Sequence, residues 1–265
     1  MQSAGHISFT DALEQLSPIT LAEMYAVKLM NRIDSKYVTN EATLLRLLDA
    51  AAAAGYRVLE SDGGRINPYD SIYYDTEGLT MFYLHHNRRL VRQKVRTRRY
   101  VASGDTFLEI KRKNNHGRTS KKRMEIPSDK MMDFGSVPEA GEYLSRHSWF
   151  TVQQLSPSAE TLFSRITLVN PLLTERLTID TRLVFKNFRT GHDTNLQDAV
   201  IIELKQDGRT GSQMKNIFLD LRIKPLRVSK YCMAITLTDP VAKTGRFKVK
   251  VRAIEKIIAN KLVTI

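Results

Sequence analysis

The sequence predicts an α+β protein built on one large antiparallel sheet or barrel. Three observations carry that prediction. Short β-like segments follow one another through the middle of the chain, with turn material between them. Helical segments gather toward both ends. The strand-like segments alternate with period two, one face charged and the other apolar or mixed. No repeat of fixed period and no Pro- or Gly-rich linker divides the 265 residues, so 1–265 reads as a single domain with a basic segment at about 240–265.

Taken in order, Ser17 is placed to cap a short helix with Pro18 at its first position. Residues 31–39, "NRIDSKYVT", alternate as a strand. An alanine- and leucine-rich helix follows, capped by Asn40 and stopped by Gly55. "YRVLES" and "YDSIYYDT" are short strands separated by the turn material "SDGGRINP". "RRLVRQKVRTRRYV" and "TFLEIKRKN" are long strands joined by the tight hairpin "ASGD", and "GRTSKKRMEIP" is the next strand. About 128–155 is helical and irregular. "FSRITLVNP", "ERLTIDTRLVFKNF" and "DAVIIELKQ" resume the sheet, and "SQMKNIFLDLRI" and "RVSKYCMAITL" are helices. The basic, amphipathic C-terminal stretch predicts a surface strand and helix, with a membrane-surface role as a weaker alternative.

Charge bounds the function. The net charge is +13, and Arg88 to Arg123 hold fourteen Lys or Arg against two carboxylates, Asp105 and Glu109. Such a concentration points to a polyanionic partner: nucleic acid, anionic lipid, nucleotide or polyphosphate. The alternative is a solvated basic face without a ligand. The basic strands carry few aromatics to stack bases, which argues against specific nucleic-acid binding. No Walker-type or dinucleotide-binding glycine motif occurs. The single cysteine, Cys232, excludes an internal disulfide and a multi-cysteine zinc site. Without a run of about 18 apolar residues or a leader-like start, the expectation is a cytoplasmic protein with no transmembrane segment.

Strand parity then sorts the charges. Arg32, Asp34 and Lys36 share a face, as do Lys94, Arg96 and Arg98. So do Glu109, Lys111 and Lys113. Arg176, Thr178, Asp180 and Arg182 form another set, opposed by Leu177, Ile179 and Leu183. Glu203 and Lys205 join Ile201, with Val200, Ile202 and Leu204 behind. Carboxylates mixed among cations fit a divalent metal beside a phosphate site, since Mg²⁺ and Mn²⁺ take oxygen ligands partly from phosphates. If the sheet closes, the charged face becomes a lumen.

The ordered set "NRIDSKYV", "SIYYDT", "HHN", "KVRTRRY", "FLEIKRK", "KKR", "ERLTIDT", "IIELK" and "RVSKY" resembles the VTC domain, the polyphosphate polymerase domain of the wider CYTH and triphosphate tunnel metalloenzyme group. The resemblance implies an antiparallel barrel forming a tunnel, with helices packed outside. It implies transfer of the ATP γ-phosphoryl group to a growing polyphosphate chain with Mn²⁺ or Mg²⁺. Catalytic positions carried over are Lys36, Arg96, Arg98, Lys111, Arg165, Arg176 and Lys230. Substrate-binding positions are Lys94, Lys121 or Lys122, Arg123, Arg182, Lys205 and Arg227. Glu203, Glu109 and Asp180 are the candidate metal carboxylates. The group's opening Glu-x-Glu-x-Lys strand is here Arg32-Ile33-Asp34-Ser35-Lys36, which favours the polymerase branch. ATP and polyphosphate are then the partners, and association with a membrane protein stays open. An inorganic triphosphatase or nucleotide phosphohydrolase using the same tunnel, and a non-catalytic polyanion-binding module, are the alternatives. Arg112 is expected to face outward, His85 and His86 to serve a hairpin or the surface, and Cys232 to be a buried structural residue.

Overall fold

A computed structural model describes residues 9–25, 32–208 and 211–262. The chain opens with α1 (Phe9–Glu14) and β1 (Ser17–Ile19). Ser17 and Pro18 therefore lie in a strand and not at a helix start. The cap is Thr20: its hydroxyl accepts from the Glu23 N–H at 3.3 Å, while the Glu23 carboxylate accepts from the Thr20 N–H at 2.8 Å. This reciprocal capping box satisfies two free donors and starts α2 (Leu21–Tyr25). The remainder of that predicted helix, 26–30, and Asn31 lie outside the described residues.

β2 (Arg32–Asn40) leads into α3 (Glu41–Ala53), where the Asn40 side chain accepts from the Thr43 N–H at 2.9 Å. Gly55, at φ 74°, turns the chain out of the helix. Next come β3 (Arg57–Leu59), β4 (Asn67–Asp75) and α4 (Thr80–His86). His85 and His86 thus sit half-buried on a helix, not in a hairpin. Asp75 holds the start of α4 by accepting from the Met81 and Phe82 N–H groups. β5 (Arg92–Tyr100), β6 (Thr106–Lys113) and β7 (Thr119–Glu125) form the basic meander. Single-turn helices and α5 (Pro138–His147) fill the predicted irregular region. β8 (Ser156–Val169), β9 (Glu175–Asn187), β10 (Asp193–Asn195) and β11 (Ala199–Asp207) complete the sheet. α6 (Gln213–Asp220), α7 (Lys230–Thr238) and α8 (Lys248–Ile258) close the chain. The C-terminal segment holds no strand among its described residues, and its last positions, 263–265, lie outside them.

The main strands run in the order β2-β11-β9-β8-β4-β5-β6-β7, every pair antiparallel. The sheet curls into a half-barrel. Lys111 on β6 is among the charges that hold the Glu203 carboxylate on β11 ionised, although five strand spacings separate those strands, about 24 Å if the sheet were flat. No ladder joins β2 to β7, so hydrogen bonding does not close the barrel among the described residues.

Two apolar clusters pack the convex face. One sets Leu177, Ile179, Ile202 and Leu204 against α1, α3 and α6. The other sets Ile72, Val95, Leu108 and Ile110 against α5. A third cluster lies on the concave face, where α7 and α8 cover Tyr73, Phe163, Leu183 and Phe185 at one end. Helices therefore pack both outside the sheet and into its hollow. Val251, Ile254 and Ile258 of α8 are buried in this third cluster, so the apolar side of the helix is spent inside the molecule and not on a membrane surface.

Candidate active site

The period-two pattern delivers the charges to the concave face, and the registers place them side by side. Lys36 on β2 is opposite Glu203 on β11, and Lys205 is opposite Arg176 on β9. Arg165 on β8 is opposite Asp180 on β9. Lys94, Arg96 and Arg98 on β5 stand opposite Lys111, Glu109 and Phe107 on β6, and Lys121 and Arg123 on β7 continue the row. Lys230 enters from the first position of α7, whose cap Ser229 accepts from the Lys94 ammonium at 2.7 Å.

These groups divide by what they already hold. Asp180 takes Arg165 Nε and Nη2 at 2.6 and 2.8 Å, and Lys230 Nζ donates to the same carboxylate. Glu109 takes Arg96 Nε at 2.7 Å on one oxygen and pairs with Lys121 through the other. Burial alone would raise both carboxyls, but their cationic partners outweigh it and hold both well below the usual carboxylate range. Among the described residues Lys36, Lys94, Arg98, Lys111, Arg176 and Lys205 form no ion pair. Arg98 lies only 6% exposed, with Nε on Ser71 Oγ at 2.9 Å and its guanidinium over the Tyr69 and Phe163 rings. Burial, then Arg96, lowers it to about 10. Repulsion by Arg96, then burial, pushes the Lys111 ammonium well below the ordinary lysine value.

Glu203 is the lumen carboxylate that no ion pair consumes among the described residues. Burial would raise it, but Lys36, Lys205 and Lys111 bring it to about 2, so it stays ionised. Among the described residues no three His, Cys, Asp or Glu side chains cluster. That donor set suits a hard divalent ion that arrives with phosphate oxygens and needs one protein carboxylate, not an all-protein cage. Glu109 and Asp180, already neutralised by cations, are poorly placed to serve as ligands.

Other expected positions fall differently. Lys121 faces the lumen, whereas Lys122 stands opposite Ile110 on the convex side. Arg123 shares the Lys121 side and lies over the Phe107 ring at 4.6 Å. Arg182 leaves the lumen row. It adopts a left-handed backbone, φ 52°, where the β8–β9 register shifts, and its side chain is exposed. The bulge carries Leu183 across to the concave apolar cluster, so the expected shared face ends at Asp180. Arg227 precedes α7 at the rim, exposed, with its carbonyl accepting from Lys250 Nζ at 2.6 Å. Arg112 points outward against the Trp149 ring at 5.0 Å, and Cys232 is buried as expected.

Sequence reasoning missed Tyr73. Its hydroxyl accepts from Arg96 Nη1 at 3.1 Å, and its ring stacks on Tyr231 of α7. Burial would raise the phenol, yet Arg96, Arg98, Lys94 and Lys230 outweigh it and bring it to about 8. The strand register, which sets Tyr73 opposite Arg96, is what reveals it.

The molecule is thus a half-barrel α+β protein whose hollow is a cationic lumen in which, among the described residues, Glu203 is a carboxylate free of ion pairs. The chain belongs to the VTC domain family, whose model matches residues 31–238. No curated protein matches it. Among solved structures, a provisionally assigned adenylate cyclase from Vibrio parahaemolyticus shares 12% identity over 78% of this chain and 99% of that chain, with a TM-score of 0.45. A protein from Hippeastrum, described as an adenylyl cyclase with dominant triphosphatase activity, shares 14% over 76% of this chain and 94% of that chain, TM-score 0.48. A conserved hypothetical protein from Pyrococcus furiosus shares 12% over 76% and 99%, TM-score 0.42.

Proposed function

We propose that this chain is a polyphosphate polymerase, transferring the γ-phosphoryl group of ATP to the end of an inorganic polyphosphate chain held in the lumen. The observation that carries the reading is the split among the lumen charges: among the described residues Lys36, Lys94, Arg98, Lys111, Arg123, Arg176 and Lys205 are lumen cations without an ion pair, and Glu203 is a lumen carboxylate that no ion pair consumes. Lys36, Lys205 and Lys111 hold Glu203 ionised, so its part is to balance charge or hold a cation. A terminal phosphate oxygen of the polymer is already a nucleophile. Its attack on the γ-phosphorus forms one P–O bond, the bond to the ADP β-oxygen breaks, and no protein proton is required.

The residues then act by position and charge. Arg98 and Arg176 offer planar forks to phosphate oxygens, and Lys36, Lys94, Lys111 and Lys205 supply point charges. The Arg165–Asp180–Lys230 cluster fixes α7 against the wall. Glu203 would hold a divalent ion, Mn²⁺ or Mg²⁺, which supplies neutralisation of phosphate charge when bound.

Purified protein incubated with ATP and Mn²⁺ is expected to yield ADP and acid-labile phosphate chains, resolved by size on a gel. Release of orthophosphate alone assigns the lumen to hydrolysis and overturns the reading. Glu203→Gln is expected to lower turnover by about 10²–10³-fold, the loss typical of one preorganised electrostatic group.

A further inference from the structure

A second cationic cavity, of about 160 Å³, lies outside the lumen between α4, the approach to β5, and α8. Arg88, Arg92, Arg246 and Lys250 line it, with no carboxylate in the lining. Among the described residues none of the four forms an ion pair. Their positions are built. Arg92 Nη1 donates to the Arg89 carbonyl at 2.7 Å, and Lys250 Nζ donates to the Arg227 carbonyl at 2.6 Å. The Arg246 N–H donates to His86 Nε2 at 3.3 Å, fixing the turn before α8 against α4. His85 closes the inner wall, with Nδ1 against Cys232 Sγ at 3.2 Å. Burial, then Lys94 and Arg92, depress its imidazole to about 2, so the histidine stays neutral and the positive charge is that of the Arg and Lys groups.

The cavity continues the lumen. Arg92 precedes Lys94 and Arg96 on the same face of β5 and stands opposite Lys113. Lys250 reaches the segment that ends in Ser229, the partner of Lys94. We propose that this cavity is a second condensed-phosphate subsite, which takes the part of an inorganic polyphosphate chain lying beyond the lumen. The proposal rests on the polyphosphate reading of the lumen. Multivalent, closely spaced negative charge is what four uncompensated cations at the end of a charged wall select. Nucleic acid fits less well, because the Phe247 ring packs inward against Phe82 and His86 and offers no free face to a base.

Calorimetric titration of the full chain in EDTA tests this, with inorganic tripolyphosphate and long-chain polyphosphate as probes. EDTA prevents turnover, so the readout does not depend on which reaction the lumen performs. The double variant Arg246→Gln/Lys250→Gln is expected to weaken long-chain binding about tenfold while tripolyphosphate binding stays within about twofold. Arg98→Gln in the lumen is expected to weaken both. Long-chain binding unchanged in the double variant, or both probes weakened equally, overturns the proposal. So does an oligodeoxynucleotide of matched charge that binds as tightly as polyphosphate through Arg246 and Lys250. Failure of Arg98→Gln to affect tripolyphosphate would instead strike the lumen reading. Should the double variant not fold, Arg88→Gln, an exposed position, carries the same comparison with the same opposing outcomes.

Discussion

Lys111 and Arg112 are adjacent cations with opposite surroundings. Lys111 faces Arg96, Arg98 and Lys121 in the lumen, while Arg112 lies outward over Trp149. A lysine whose pKa is lowered by folding costs stability while it is charged, and that cost is relieved as pH rises through its folded value toward the unfolded one. Lys111→Met removes the repulsion at every pH. It is expected to raise the melting temperature by a few degrees while cutting ATP turnover, the trade-off of a group kept for function. Arg112→Ala removes one exposed cation–π contact, worth about 0.5–1 kcal/mol, and is expected to leave turnover intact. Calorimetry and a turnover assay on the two variants check both statements. Equal loss of turnover in both would contradict the assignment of faces.

At the scale of elements, the strands were the legible part, because period two in β2, β5, β6, β9 and β11 sorts charge from apolar residues directly. What escaped has local causes. The bulge at Arg182 inserts one residue, and parity counted from Arg176 then assigns Leu183 to the wrong side. The Thr20–Glu23 capping box outcompetes Ser17, whose strand pairing with Arg57 is a long-range contact invisible to local pattern. Tyr73 was hidden because an aromatic on a mixed strand resembles core, and only the register with Arg96 shows the phenol among cations. Ion pairs were equally out of reach: Glu109 and Asp180 shared faces with cations, but only the folded geometry shows them consumed. β4 and α7 together carry a pH dependence. Above about 8 the Tyr73 phenol loses its proton, and the Lys230 ammonium, lowered by burial, begins to lose its own below the ordinary lysine range. Each loss makes the lumen less positive, so tripolyphosphate affinity is expected to fall as pH rises through about 8. Tyr73→Phe is expected to make that decline shallower in titrations across the range, leaving the part that Lys230 carries. An unchanged profile would remove Tyr73 from the account.

The whole molecule carries +13, with much of the excess directed into one hollow. A ligand that binds only the folded state and neutralises such a field stabilises it by mass action. Tripolyphosphate is expected to raise the melting temperature by several degrees at low ionic strength, and the shift is expected to shrink as salt screens the charges. Thermal scans across a salt series measure this, and a shift that ignores salt would point to a contact other than charge.

The sheet is one strand thick, with two apolar clusters on its convex side and the charges on its concave side. Neighbouring residues on a strand therefore answer to different selective demands, the odd ones in β11 to the lumen and the even ones to the convex packing. Substitutions in the wall can change which anion is taken, how it is gripped or whether water is admitted, without touching the packing on the reverse.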